Sequence, residues 1–180
     1  FIDNAGGVDC SDHEVNIKVL LNEVVAQGDM TLKQRNVLLK QMTDEVSTLV
    51  LKHNYSQVQA ISIAESHARQ SMDEYIRLID RLEAEGKLDR ELEYIPSEEE
   101  LLQCKSEGRG LTRPELSVLI SYAKAEMKEA LIDSWVTEDP WLAKEIENAF
   151  PECLVEQFPE QIGQHRLRRE IIATQIANSL

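Results

Sequence analysis

Four helix starts along this chain carry a Ser or Thr followed, three residues on, by Glu or Gln: Ser11–Glu14, Thr31–Gln34, Ser97–Glu100 and Thr112–Glu115. In that spacing the hydroxyl accepts from the third amide and the longer side chain reaches back to the first, satisfying two of a helix's orphan N–H groups together. Within the last box Pro114 falls in the first turn, where a missing N–H costs nothing. A chain punctuated this way is expected to be all-α. The predicted helices span 12–27, 32–53, 56–85, 97–107, 113–133, 141–150 and 165–179. Gly28, Asn54 and Gly86 mark reversals, 87–96 a connector, and Gly108-Arg109-Gly110 a flexible turn.

Apolar spacing assigns faces to these helices. Leu32, Leu39, Met42, Val46 and Leu49, and then Val58, Ile61, Ala68, Met72, Tyr75, Ile79 and Leu82, follow a three-four pattern close to a heptad. That pattern predicts a multi-helix bundle with a long antiparallel helical hairpin turning near Asn54. An oligomerisation or docking arm would share the pattern, but the short connection favours an internal seam. Leu116, Leu119, Ile120, Ala123, Met127, Ala130 and Leu131 form one stripe on the helix after Thr112. Trp135 and Trp141, flanking Asp139-Pro140, read as core or hinge packing, and Phe150-Pro151 and Phe158-Pro159 as helix ends.

Charge and cysteine usage exclude more than they identify. The 180 residues carry a formal charge of −14, which repels polyphosphate, so nucleic acid and anionic membrane surfaces are not expected partners. No apolar run approaches the roughly 20 residues of a membrane-spanning helix. Cys10, Cys104 and Cys153 are an odd, scattered set without a C-x-x-C pair, which fits a reducing, cytoplasmic setting. His13, His53, His67 and His165 are as scattered, so no metal site is expected.

The chemistry suggested by the sequence lies at its start. Phe1-Ile2-Asp3 reads as the inside of a strand or a strand-to-loop junction, as in a segment of a longer protein. Gly6 and Gly7 follow, then the capped start of a helix, whose free amides favour an anion. By itself such a turn is ordinary. The longer string Asp3-Asn-Ala-Gly-Gly-Val-Asp-Cys-Ser-Asp-His-Glu-Val-Asn16, however, resembles the very large bacterial NAD-specific glutamate dehydrogenases. Gly110-Leu-Thr-Arg-Pro-Glu-Leu116, His165-Arg-Leu-Arg-Arg-Glu-Ile-Ile-Ala-Thr174 and Ala177-Asn-Ser179 resemble the same branch, so the likeness runs from end to end.

The resemblance implies a domain plan and a few site residues. Residues 1–11 would be a short irregular remnant closing an α/β NAD-binding domain, and 12–180 the C-terminal helical domain. Ser11 would hydrogen-bond the distal carboxylate of L-glutamate, and a hydroxyl beside helix-terminal amides suits that task. Asn4 would lie near the nicotinamide, while Gly6 and Gly7 let the backbone pass close to the cofactor. The family's catalytic lysine and aspartate, and its Gly-rich dinucleotide loop, have no counterpart here, so no catalytic residue is assigned.

The expected function is therefore structural: a piece of an NAD-dependent oxidoreductase of amino-acid catabolism, inactive alone and packed against the parent's remaining domains in a homo-oligomer. A free-standing helical protein-interaction module is the alternative, and a small helical enzyme a distant third. Arg166, Arg168 and Arg169 would serve either as a solvated face or as an interdomain contact, for instance with acidic runs at 83–85 or 98–100.

Overall fold

The computed structural model describes the backbone of residues 2–179 and the side chains of residues 5–179. Among the described residues there are helices and turns and no strand. The helices are α1 (Ile2–Gln27), α2 (Leu32–Gln41), α3 (Thr43–His67), α4 (Met72–Ala84), α5 (Glu98–Ser106), α6 (Arg113–Ile132), α7 (Glu152–Gln157), α8 (Pro159–Gly163) and α9 (Arg168–Ser179). Two 3₁₀ stretches, Trp135–Glu138 and Leu142–Ala149, lie between α6 and α7. The chain forms two compact units, one of residues 1–55 with 126–180 and one of residues 56–125.

The first unit's core is made by Ile17, Leu20 and Leu21 of α1, Leu38 and Met42, Ile146 and Phe150, Leu154, Ile162, and Ile171 and Ile172 of α9. Each apolar side chain removed from water contributes roughly 1.5–3 kcal/mol, so this cluster dominates the unit's stability. The second core gathers Met72, Ile79 and Leu82 of α4 with Leu88, Ile95, Leu101, Leu111, Leu116 and Leu119. Here α4 buries one face, as its spacing predicts, and the expected stripe of α6 is buried at Leu116 and Leu119 but exposed at Met127.

Two capping boxes form in full, at Thr31 with Gln34 and at Ser97 with Glu100. The third, at Thr112, shows its return arm, the Thr112 N–H donating to Glu115 Oε2 at 2.6 Å. The fourth does not form. α1 begins at Ile2, ahead of Ser11, so residues 2–10 are helical where an irregular segment is expected. Glycines inside a helix cost about 1 kcal/mol each relative to Ala, but tertiary contacts outweigh that propensity here. Gly6 lies against α3, where an added Cβ would stand 3.9 Å from Val50 Cγ1, and Asp9 contacts His53 of the same helix.

The hairpin expected to turn near Asn54 is also corrected. α3 runs through that position, with Asn54 Nδ2 donating to Val50 O at 2.9 Å. The breaks fall instead at Met42 and at 68–71. At the first, the Thr43 hydroxyl donates to Lys40 O at 3.1 Å, competing with the backbone ladder. At the second, Gly110 explains the interruption: a Cβ there would stand 2.7 Å from Arg69 N and 2.8 Å from Ala68 C. Only a glycine permits so close an approach.

The connector 87–96 is tied down rather than loose. Arg90 Nε donates to Glu83 and Nη2 to Asp80, both at 2.7 Å, while Nη1 reaches Pro96 O at 3.2 Å. Gly86 opens this segment at φ +68°, a left-handed position that ends α4.

Candidate functional site

The residues singled out from the sequence lie on the first three turns of α1. Ser11 is exposed, and its hydroxyl donates to Gly7 O at 3.0 Å, one helical turn back. Neither Gly6 nor Gly7 has a positive φ, and a Cβ on Gly7 would meet nothing within 4 Å. The side chain of Asn4 lies outside the described residues. Two open grooves, of about 330 Å³ beside Tyr122 and about 480 Å³ beside Phe158, include none of these positions.

Beside this segment the fold assembles a group that sequence spacing does not reveal. Asp9 and His13 are one turn apart on α1, and His53 joins them from α3. Their ligand atoms all lie within 4.8 Å of one another. His53 Nδ1 stands 3.1 Å from both carboxylate oxygens of Asp9. The His13 and His53 rings are near-parallel, at 17°, with centroids 5.4 Å apart.

His13 is 3% exposed, and its Nδ1 is 3.1 Å from Ala149 O. A carbonyl only accepts, so Nδ1 carries the proton in that bond. The other nitrogen, Nε2, is buried and has no hydrogen-bond partner. The signal that could have found this group is the Asp9-x-x-x-His13 spacing. It has meaning only if the helix begins before Asp9, and placing the start at Ser11 hid it.

His165 is the contrasting case. Its Nε2 donates to Asn16 O at 3.1 Å and its Nδ1 accepts from Leu167 N–H at 3.1 Å, with Phe150 edge-on to the ring. Burial, the largest influence, holds its pKa below the usual imidazole value, although the Asn16 carbonyl opposes the shift. Arg168 and Arg169 both donate to Glu138, at 3.0 and 2.9 Å, and hold that carboxyl below its usual pKa. Trp135 and Trp141, expected in packing, are instead exposed, with Lys144 Nζ 5.8 Å from the Trp141 ring centroid.

Comparison with known proteins places this helical chain. Residues 1–64 match the family described as bacterial NAD-glutamate dehydrogenase, catalytic domain, and residues 108–180 the family described as glutamate dehydrogenase, C-terminal. In both stretches the chain is similar to glutamate dehydrogenases. Among its relatives are proteins named NAD-specific glutamate dehydrogenase from Pseudomonas aeruginosa, 61% identical, and Halomonas elongata, 57% identical, each over the whole chain. A third, from Mycobacterium tuberculosis, is 39% identical over 99% of it. The chain spans 11% of the length of each of these relatives.

Proposed function

We propose that this chain works as part of a dehydrogenase that oxidises L-glutamate to 2-oxoglutarate and ammonia, with NAD as hydride acceptor, and that the chain alone is not catalytic. The observation that carries this reading is the end-to-end identity, 61% in one case, to proteins named NAD-specific glutamate dehydrogenase. Residues 1–11 close the NAD-binding domain in this reading and the helices from Asp12 form the C-terminal part; the catalytic-domain match takes in those up to residue 64.

Ser11 is assigned to the substrate's distal carboxylate. Its hydroxyl is solvent-exposed and needs only to turn from Gly7 O toward the ligand, exchanging a neutral acceptor for a charged one. Asn4, Gly6 and Gly7 are assigned to the nicotinamide end of the cofactor, a role carried by the family resemblance. Hydride transfer requires the nicotinamide carbon and the substrate Cα in contact, and this chain supplies one wall of such a site. The remaining domains of the parent supply the rest, in a cytoplasmic homo-oligomer.

The test is glutamate-dependent NAD reduction by the full-length protein, wild type against Ser11→Ala, beside the 180-residue chain. Loss of a hydrogen bond to a carboxylate costs about 1.5–3 kcal/mol, so kcat/KM should fall roughly 10- to 100-fold. The isolated chain should be inert. A full-length protein without glutamate-dependent activity sinks the reading, and an unaffected Ser11→Ala sinks the assignment of Ser11.

A further inference from the structure

We propose that Asp9, His13 and His53 form a binding site for a divalent transition-metal ion of the zinc class, independent of the dehydrogenase reading. Two histidine nitrogens and one carboxylate suit zinc, cobalt or nickel rather than magnesium or calcium, which take oxygen ligands. The three ligand atoms lie within 4.8 Å of one another. Donors around a tetrahedral ion with bonds of about 2.0–2.1 Å stand roughly 3.3 Å apart, so modest side-chain movement closes the set.

An ion pair between Asp9 and His53 explains two of these residues and leaves the third unexplained. His13 is buried, and Nδ1 is committed to the Ala149 carbonyl, so Nε2 is the nitrogen left without a partner. Leaving a buried polar atom in that state is costly, so a partner is expected there. A ring whose Nδ1–H is held by a backbone carbonyl presents its Nε2 lone pair in a fixed direction, the arrangement that orients metal-bound histidines. The ion would take His13 Nε2, a nitrogen of His53 and an oxygen of Asp9, and leave a position for water. A site of this kind links the first turns of α1 to α3, where two glycines make the helix intrinsically weak. The chain's strongly negative charge favours capture of a cation.

The competing occupant of the gap is a water molecule donating to Nε2, and metal uptake separates the two. The full-length protein, stripped by chelator, is titrated with Co²⁺ and then Zn²⁺. Visible d–d absorption and metal per chain after gel filtration are recorded for wild type, His13→Ala, His53→Gln, Asp9→Asn and Cys10→Ser. Wild type and Cys10→Ser should hold one equivalent more than the three site variants, with a low-symmetry cobalt spectrum that zinc abolishes. His53→Gln and Asp9→Asn keep size and hydrogen bonding, so their loss of that equivalent with unchanged circular dichroism is a ligand effect. Equal uptake by wild type and all three variants overturns the proposal. So does no uptake by wild type, or loss of the ion in Cys10→Ser alone.

Discussion

Two imidazoles are almost equally buried in the same unit, and their surroundings treat them differently. His165 has both nitrogens satisfied by backbone, one donating to Asn16 O and one accepting from Leu167 N–H, and it packs against Phe150. His13 has one nitrogen on Ala149 O and one with no partner, beside Asp9 and His53. The first is a structural linchpin fixed by local backbone geometry. The second is held as a ligand would be. Burial alone does not separate these roles, but counting partners atom by atom does.

The largest expected effect comes from removing the satisfied ring. His165→Ala strips partners from two backbone groups and opens a cavity beside Phe150, so urea unfolding should show a loss of about 2–4 kcal/mol. A loss below about 1 kcal/mol would mean that the two histidines are not different in kind. His13→Leu, measured with chelator present, gives up one hydrogen bond while also removing the unpartnered nitrogen. Its cost should be smaller, about 1 kcal/mol. Should it equal that of His165→Ala, the missing partner of Nε2 has no energetic meaning.

A pH series sharpens the same contrast. The pKa of His165 is held below the ordinary imidazole value by burial, so below about pH 6.5 the unfolded chain binds a proton that the folded chain refuses. The contribution of His165 is therefore fully present above that pH. It is lost as the pH falls from there toward the lowered folded-state pKa. Thermal unfolding between pH 7.5 and 5 should show an acid decline in wild type that is shallower in His165→Gln, whose amide can still donate to Asn16 O. Parallel curves for the two proteins would refute the linkage.

The helical class was legible because its signals are local. Thr31–Gln34 and Ser97–Glu100 name their own partners within four residues, and the structure forms both boxes. The buried face of α4 follows from its period in the same way. What escaped the sequence depends on distant contacts. The break at 68–71 answers to Gly110, some forty positions on, and the continuity of α3 through Asn54 leaves no local trace. The start of α1 was misplaced because two glycines and a plausible cap outweighed any visible reason for a helix; the reason is α3, through Val50 and His53. The Asp9–His13–His53 group was lost by that same error. Nothing local in the sequence told how the stretch carrying Gly6, Gly7 and Ser11 would be held.

The smallest effect isolates this last point. Thr31 and Ser11 open two sequences of the same capping type, yet one caps a helix and the other sits within one. Thr31→Ala removes an acceptor for Gln34 N–H and should cost about 1 kcal/mol. Ser11→Ala removes only a hydroxyl that donates back to Gly7 O, while alanine is the better helix former by up to roughly half a kcal/mol. Stability should then stay level or rise slightly, even though the same substitution is expected to weaken glutamate turnover in the full-length protein. If Ser11→Ala instead costs as much as Thr31→Ala, the helix starts at Ser11 in solution. The three turns before it would then be a loop, and Asp9 would leave the neighbourhood of His53.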